Sequence, residues 1–148
     1  MNAFRRFFTL NPDERWLSFQ MVVMLMLTSL GLKLFGFKSV VTALNGFNWL
    51  IRHPVQDDII PNILNHSRRL IRYAKRHGYG TCLSRSLVLW WILYHHGIDT
   101  DLRIGICKNA DQFQAHAWIE YKNKPLNAGR RVRRRYIVFK HSFTPIHK

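Results

Sequence analysis

Two kinds of side chain are scarce in this chain: cysteine, found only at Cys82 and Cys107, and carboxylates, with 8 Asp and Glu against 23 Lys and Arg. Two cysteines exclude a disulfide scaffold, and neither stands in the short Cys/His spacing that holds zinc, so no metal ligand is predicted. A cytoplasmic, reducing location is the corresponding expectation. A secretory signal is also missing: the first apolar run starts only at Trp16, behind Arg5, Arg6, Asp13, Glu14 and Arg15, with no small-residue cleavage site after it. At 148 residues the chain has room for one compact domain, and 47% hydrophobic residues supply a core, which excludes wholesale disorder. The shortage of acids leaves a formal net charge of +15. Such a field favours nucleic acid, anionic lipid or an acidic peptide as partner and says nothing of fold.

The uncharged run Trp16 to Leu32 lies at the lower edge of the ~17–25 residues that a membrane span needs. Ser18, Gln20, Thr28 and Ser29 interrupt it. Its start, with Asn11 as N-cap, Pro12 at the first helical position and Asp13 and Glu14 after it, is that of a soluble helix. A packed or interfacial helix is therefore predicted, ended or bent at Gly36, with membrane association left open. From Val40 to Gly78 the pattern predicts more helix, broken at Asn45-Gly46 and His53-Pro54. Ile59, Ile63, Leu64, Leu70, Ile71 and Tyr73 form its apolar face, and Arg68, Arg69, Arg72, Lys75 and Arg76 a solvated basic one.

After the break His77 to Thr81, Leu83, Leu87, Trp90, Trp91 and Tyr94 recur at helical spacing until His95-His96-Gly97. The period then changes to two. Leu102, Ile104 and Ile106 alternate with Arg103, Gly105 and Cys107, and a turn is expected at Lys108 to Asp111. A second strand sets Phe113, Ala115, Ala117 and Ile119 on a core face and Gln114, His116, Trp118 and Glu120 on the other. Lys122 to Pro125 reads as a turn and Tyr136 to Phe139 as a further strand. Helices first and antiparallel strands last make an α+β order in a single domain, with residues 1–78 as helical support or docking region and 79–148 as the core that carries the chemistry.

Cys82 follows a Gly-Tyr-Gly-Thr break and opens an apolar helix. The first turn of a helix offers unpaired N–H groups and partial positive charge, which suit a thiolate nucleophile and can form part of an oxyanion hole. A small buried hydrophobe is the alternative role, and the one expected for Cys107. His116, on the strand face opposite Phe113, Ala115 and Ala117, is the candidate base, its alternative being a structural histidine packed beside Trp118. Arg85, one turn beyond Cys82, could stabilise the thiolate or hold a substrate carboxylate, and a plain surface arginine is its other reading.

Cys82-Leu83-Ser84-Arg85-Ser86-Leu87, His95-His96-Gly97-Ile98-Asp99, Ile104-Gly105, Phe113 to Glu120 and Pro125-Leu126-Asn127 occur in an order and spacing that resemble the leader peptidases of lasso-peptide maturation, in the transglutaminase-like superfamily. The resemblance covers Gly80 to Asn127 and, more loosely, the Asn11 to Arg15 opening with its apolar helix. It implies a transglutaminase- or papain-like core and a cysteine peptidase with a Cys–His–acid triad, in which Cys82 is the nucleophile and His116 the base, with no cofactor in this chain. The family usually carries Asp directly after the Asn that matches Asn127, and Ala128 stands there. Asn127 is then expected to orient the imidazole through its side-chain oxygen, as Asn does in papain-like enzymes. Glu120, four residues from His116 along the strand and ~13 Å away at the backbone, is a poor partner for the ring. Thr81 and Arg85 are candidate oxyanion or substrate contacts.

The family's leader recognition resides in a winged-helix-like domain, fused or separate, and the resemblance is to the stand-alone peptidase. The expected partners are the precursor peptide, a separate leader-recognition protein and, next in the sequence of reactions, an asparagine-synthetase-like cyclase. Any ATP requirement would belong to the wider maturation system. Phe4, Phe7, Phe8 and Trp16 are the expected docking aromatics. The rival class is a non-catalytic module for nucleic acid or anionic membrane, resting on Arg130, Arg131, Arg133, Arg134 and Arg135. No zinc finger, helix-turn-helix or aromatic RNA-binding motif accompanies that run, so no nucleic-acid partner is expected.

Overall fold

A computed structural model of the protein describes residues 12–48, 60–109 and 112–139. Three long helices precede a four-stranded antiparallel sheet. Helix α1 is Pro12–Asn48, α2 Ile60–Arg76 and α3 Cys82–His95; they are followed by β1 Asp101–Asn109, β2 Gln112–Tyr121, β3 Lys124–Pro125, the single turn α4 Val132–Arg135, and β4 Ile137–Val138. The sheet order is β3-β2-β1-β4. The predicted α+β order is the observed one.

Helix α1 is not one rod. Gly36, at φ 76° and ψ 176°, leaves helical geometry in the region that only glycine enters without strain. Gly31 and Val40 would stand about 13 Å apart along a straight helix. Here a side chain at Gly31 would come within 3.0 Å of Val40 Cγ2, so the chain folds sharply back at Gly36. The break expected at Asn45-Gly46 does not occur, because helix continues to Asn48; a lone glycine costs a packed helix only about 1 kcal/mol, which burial of Val40 and Leu44 outweighs. The Asn11 cap, Ile59, the His53-Pro54 break and the tip of the Lys108–Asp111 turn lie outside the described residues.

Helix α3 is the centre of the molecule. Leu87 through Leu93 are buried without interruption, so it has no solvent face, as expected of a helix apolar all round. Helices α1 and α2 cover it on one side and strands β1 and β2 on the other. The core contains Met21, Leu44, Ile63 and Ile71 from the covering helices and Leu102 and Ile119 from the sheet. Between α1 and α2, Ser18 Oγ meets buried His66 Nε2 at 3.0 Å.

Strands β1 and β2 pair along their whole length, from Asp101 opposite Glu120 to Asn109 opposite Gln112. Lys122 and Asn123, both with positive φ, make the two-residue turn into β3. The core face predicted for β2 needs correction. Phe113 is 75% exposed and Ala115 is also exposed, whereas Ala117 through Glu120 are all buried. Only the second half of β2 lies under α3, so alternation fails to identify the core: the first half is covered on neither face and the second half on both.

Candidate active site

Helix α3 is started by a complete capping box. The Thr81 hydroxyl accepts the Ser84 N–H at 3.1 Å, and the Thr81 N–H donates to Ser84 Oγ at 2.8 Å. The first bond of the helix runs from Arg85 N–H to Thr81 O, so the Cys82 and Leu83 amides precede the helical ladder. Cys82 is thus the first helical residue, half-buried, in the turn whose amides lie outside the helical ladder. The Arg85 guanidinium donates to the carbonyls of Tyr79 (3.0 Å) and Gly80 (2.7 Å), holding the loop before Cys82. Burial lowers the Arg85 pKa and the charge of Cys82 opposes that shift, which places the guanidinium within electrostatic reach of the sulfur.

The second half of the site is on β2. The His116 ring lies 5.3 Å from that of Tyr136 and 6.0 Å from that of Trp118, between two aromatic neighbours. Burial, and after it the charges of Lys75, Arg85 and Arg135, hold the imidazole below its ordinary pKa. A neutral ring ready to take a proton is the result. Arg85 therefore acts on both Cys82 and His116. Tyr136 also spans the site: burial and the charge of Cys107 raise its phenol, with Arg135 opposing, and Cys82 adds a smaller effect in the same upward direction. Cys107 itself is buried and hydrogen-bonded with Tyr136, a structural setting.

Three hydrogen bonds join the two halves. Ser86, one turn beyond Cys82, donates from Oγ to Ala117 O at 2.9 Å, next to His116. Asn127 Nδ2 donates to the same Ser86 oxygen at 2.8 Å, and Asn127 Oδ1 accepts the Ile119 N–H at 2.8 Å. Both ends of the Asn127 amide are engaged in this clamp. Among the described residues no hydrogen bond joins Asn127 to His116, so the ring is placed by its aromatic neighbours and by the strand. The Thr81 hydroxyl is likewise engaged, as the helix cap.

Beneath Trp118 lies Glu120, fully buried. It accepts from Trp118 Nε1 at 2.9 Å, from Arg133 Nε at 2.6 Å, from Arg133 Nη2 and from Arg103 Nε at 3.3 Å. Burial alone would raise its carboxyl; hydrogen bonds from Arg133 and Trp118 and the charges of Arg133 and Arg103 outweigh this and hold it below the usual carboxylate range. Glu120 thus fixes the indole that flanks His116.

Several of these residues escaped the sequence reading. Ser86 stands in the Cys82–Leu87 block and Arg135 in the arginine run without a role assigned to either, and Tyr136 and Lys75 carry no motif signal. Two members of the predicted solvated face of α2 reach other elements: the charge of Lys75 acts on His116, and Arg68 Nε donates to Leu126 O at 3.0 Å. In the arginine run, Arg133 holds Glu120 and Arg135 lies 5.8 Å from the Tyr136 ring. Two of the five arginines offered to nucleic acid therefore have work inside the domain. Among the described residues no group of three or more His, Cys, Asp or Glu gathers to hold a metal.

Residues 25–140, from the middle of α1 past β4, match the family model described as the transglutaminase-like superfamily. No curated protein and no solved structure matches the chain.

Proposed function

The chain belongs to the transglutaminase-like superfamily, whose members are generally cysteine-peptidase-like, and on that premise we propose that it is a cysteine peptidase that removes the leader from a lasso-peptide precursor. The observation that carries this reading is Cys82 at the capped start of α3, clamped through Ser86 to the strand of His116.

His116 takes the Cys82 thiol proton as the sulfur attacks the carbonyl carbon at the leader–core junction, and the amides of Cys82 and Leu83 receive the oxyanion. His116 gives a proton to the departing core amine as the carbon–nitrogen bond breaks, leaving the leader as a thioester on Cys82. Water, deprotonated by His116, then adds to the thioester; the thiol leaves and the leader carboxylate is released. Trp118 and Tyr136 keep the imidazole oriented during both proton transfers.

The leader-recognition protein docks, in this reading, on the exposed side of α1. Trp16, Phe19, Met26, Leu30, Leu34 and Phe35 are each more than half exposed there, far more apolar surface than a solvated helix needs. Phe4, Phe7 and Phe8 lie outside the described residues. The stretch Arg15–Gly46 is apolar and long enough for a membrane span by length and composition, but the fold-back at Gly36 divides it, and its other side contributes Leu17, Met21, Val40 and Leu44 to the core.

The deciding experiment incubates the chain with a precursor and its recognition protein and follows the products by mass spectrometry. A leader acyl-enzyme on Cys82 is expected. Cleavage that survives Cys82→Ala overturns the proposal.

A further inference from the structure

A cavity of about 450 Å³ opens between α1, α2 and the loop that leads into the catalytic helix. Its lining includes Met21 and Leu25 of α1, Ile71 and Ala74 of α2, and Gly80, two residues before Cys82. That volume is in the range of small-ligand sites, ~300–1,000 Å³. The walls are mostly apolar, with the hydroxyl-bearing Ser29, Tyr73 and Tyr79 among them. Ser29 Oγ is buried and has no hydrogen-bond partner, although nearly all buried polar atoms in folded proteins have one. It faces the Gly80 end, 3.3 Å from where a side chain on Gly80 would begin.

Position relative to the reacting groups tells what would enter. The Gly80 carbonyl is held by Arg85 and Thr81 caps the helix, so the cavity end is rigidly joined to the amides that would receive the oxyanion. Successive residues of an extended peptide advance about 3.3 Å, so three residues beside a scissile carbonyl sweep roughly 10 Å, more than the ~7 Å that the two-residue step from Cys82 to Gly80 can span. We propose that this cavity is a specificity subsite for a large apolar side chain of the peptide substrate, of Leu, Met or Phe size, on the acyl side and within three residues of the bond cut. Ser29 Oγ supplies a buried polar contact to the peptide backbone that carries the side chain. The assignment rests on the peptidase reading and adds what that enzyme selects.

Covalent probes separate the two claims. Acetyl-Gly-Gly-Gly chloromethyl ketone and three relatives carrying one Phe at each position in turn are reacted with the full chain, and intact mass gives the rate of Cys82 alkylation. Iodoacetamide reports the thiol alone. One Phe probe is expected to react roughly ten- to a hundredfold faster than the all-Gly probe, as filling an apolar pocket commonly achieves. Val22→Trp, at an exposed rim position, and Ser29→Val should both reduce that preference to about twofold or less while iodoacetamide labelling is unchanged. Equal rates for all four peptides, or a preference that survives both substitutions, overturn the subsite and leave the peptidase standing. Failure of every reagent to label Cys82 overturns both.

Discussion

The Ser86 hydroxyl donates to the Ala117 carbonyl at 2.9 Å, and through this bond the helix that begins with Cys82 is tied to the strand residue next to His116. Ser86 also accepts from Asn127, whose oxygen takes the Ile119 N–H two residues further along the same strand. The helix start that carries Cys82 and the strand that carries His116 are thereby held by a buried polar network that must be fully satisfied to be stable.

If that network positions the pair, Ser86→Ala and Asn127→Ala should each cost about 1–3 kcal/mol in urea unfolding, because each leaves buried groups unpaired. The double variant should cost clearly less than the sum, since both remove the same bond. Additive losses would show that Asn127 acts elsewhere.

His116 should titrate below the ordinary histidine value. In Cys82→Ala, which removes the thiol from the comparison, the imidazole resonances followed by NMR should shift at lower pH than those of a free histidine. Burial and the charges of Lys75, Arg85 and Arg135 all disfavour the protonated ring. Lys75→Gln, at an exposed position, should move the midpoint upward. A midpoint unmoved by that change would remove Lys75 from the site.

Glu120→Gln should destabilise the domain by about 3 kcal/mol at neutral pH, since it leaves Arg103 and Arg133 without their buried partner. The folded-state pKa of Glu120 lies below its unfolded value, so its stabilisation is complete above the usual carboxylate range and is lost as pH falls through the folded value. Unfolding measured from neutral to acid pH should accordingly show a shallower loss in the variant than in the parent chain.

Gly80→Ala should be worse than an ordinary glycine substitution. The residue has φ 68°, and an added Cβ would lie 2.7 Å from Ser84 Oγ and 2.9 Å from Leu25 Cδ1. Both the strained backbone and the disturbed capping box should appear as a lowered melting temperature and slower alkylation of Cys82 by iodoacetamide. Normal alkylation in a destabilised variant would separate the cap from the reactivity of the thiol.

The helical first half, the strands and their α+β order were legible in the sequence because each element has its own period, and the break before Cys82 because glycine and threonine announce a turn and a cap. The core face of β2 was not legible, since coverage by α3 stops halfway along the strand. Nor was Asn127: a single amide after a turn could face the imidazole or the helix, and only the packing of α3 against β2 turned it toward Ser86 and Ile119.

By itself the sequence determined the identities of Cys82 and His116 as candidates and the local structures that carry them, because capping, alternation and helical spacing act over a few residues. Tertiary structure decided what surrounds them. Lys75, Arg85 and Arg135 come from three different elements to act on one imidazole, and Arg133 reaches a buried carboxylate while staying exposed like its neighbours in the run. The fold-back at Gly36 belongs to both levels, for glycine permits the turn and the packing of Val40 against Gly31 selects it. Charge interactions and burial depend on distance through space, and a linear order of residues contains no such distances until the helices close around α3.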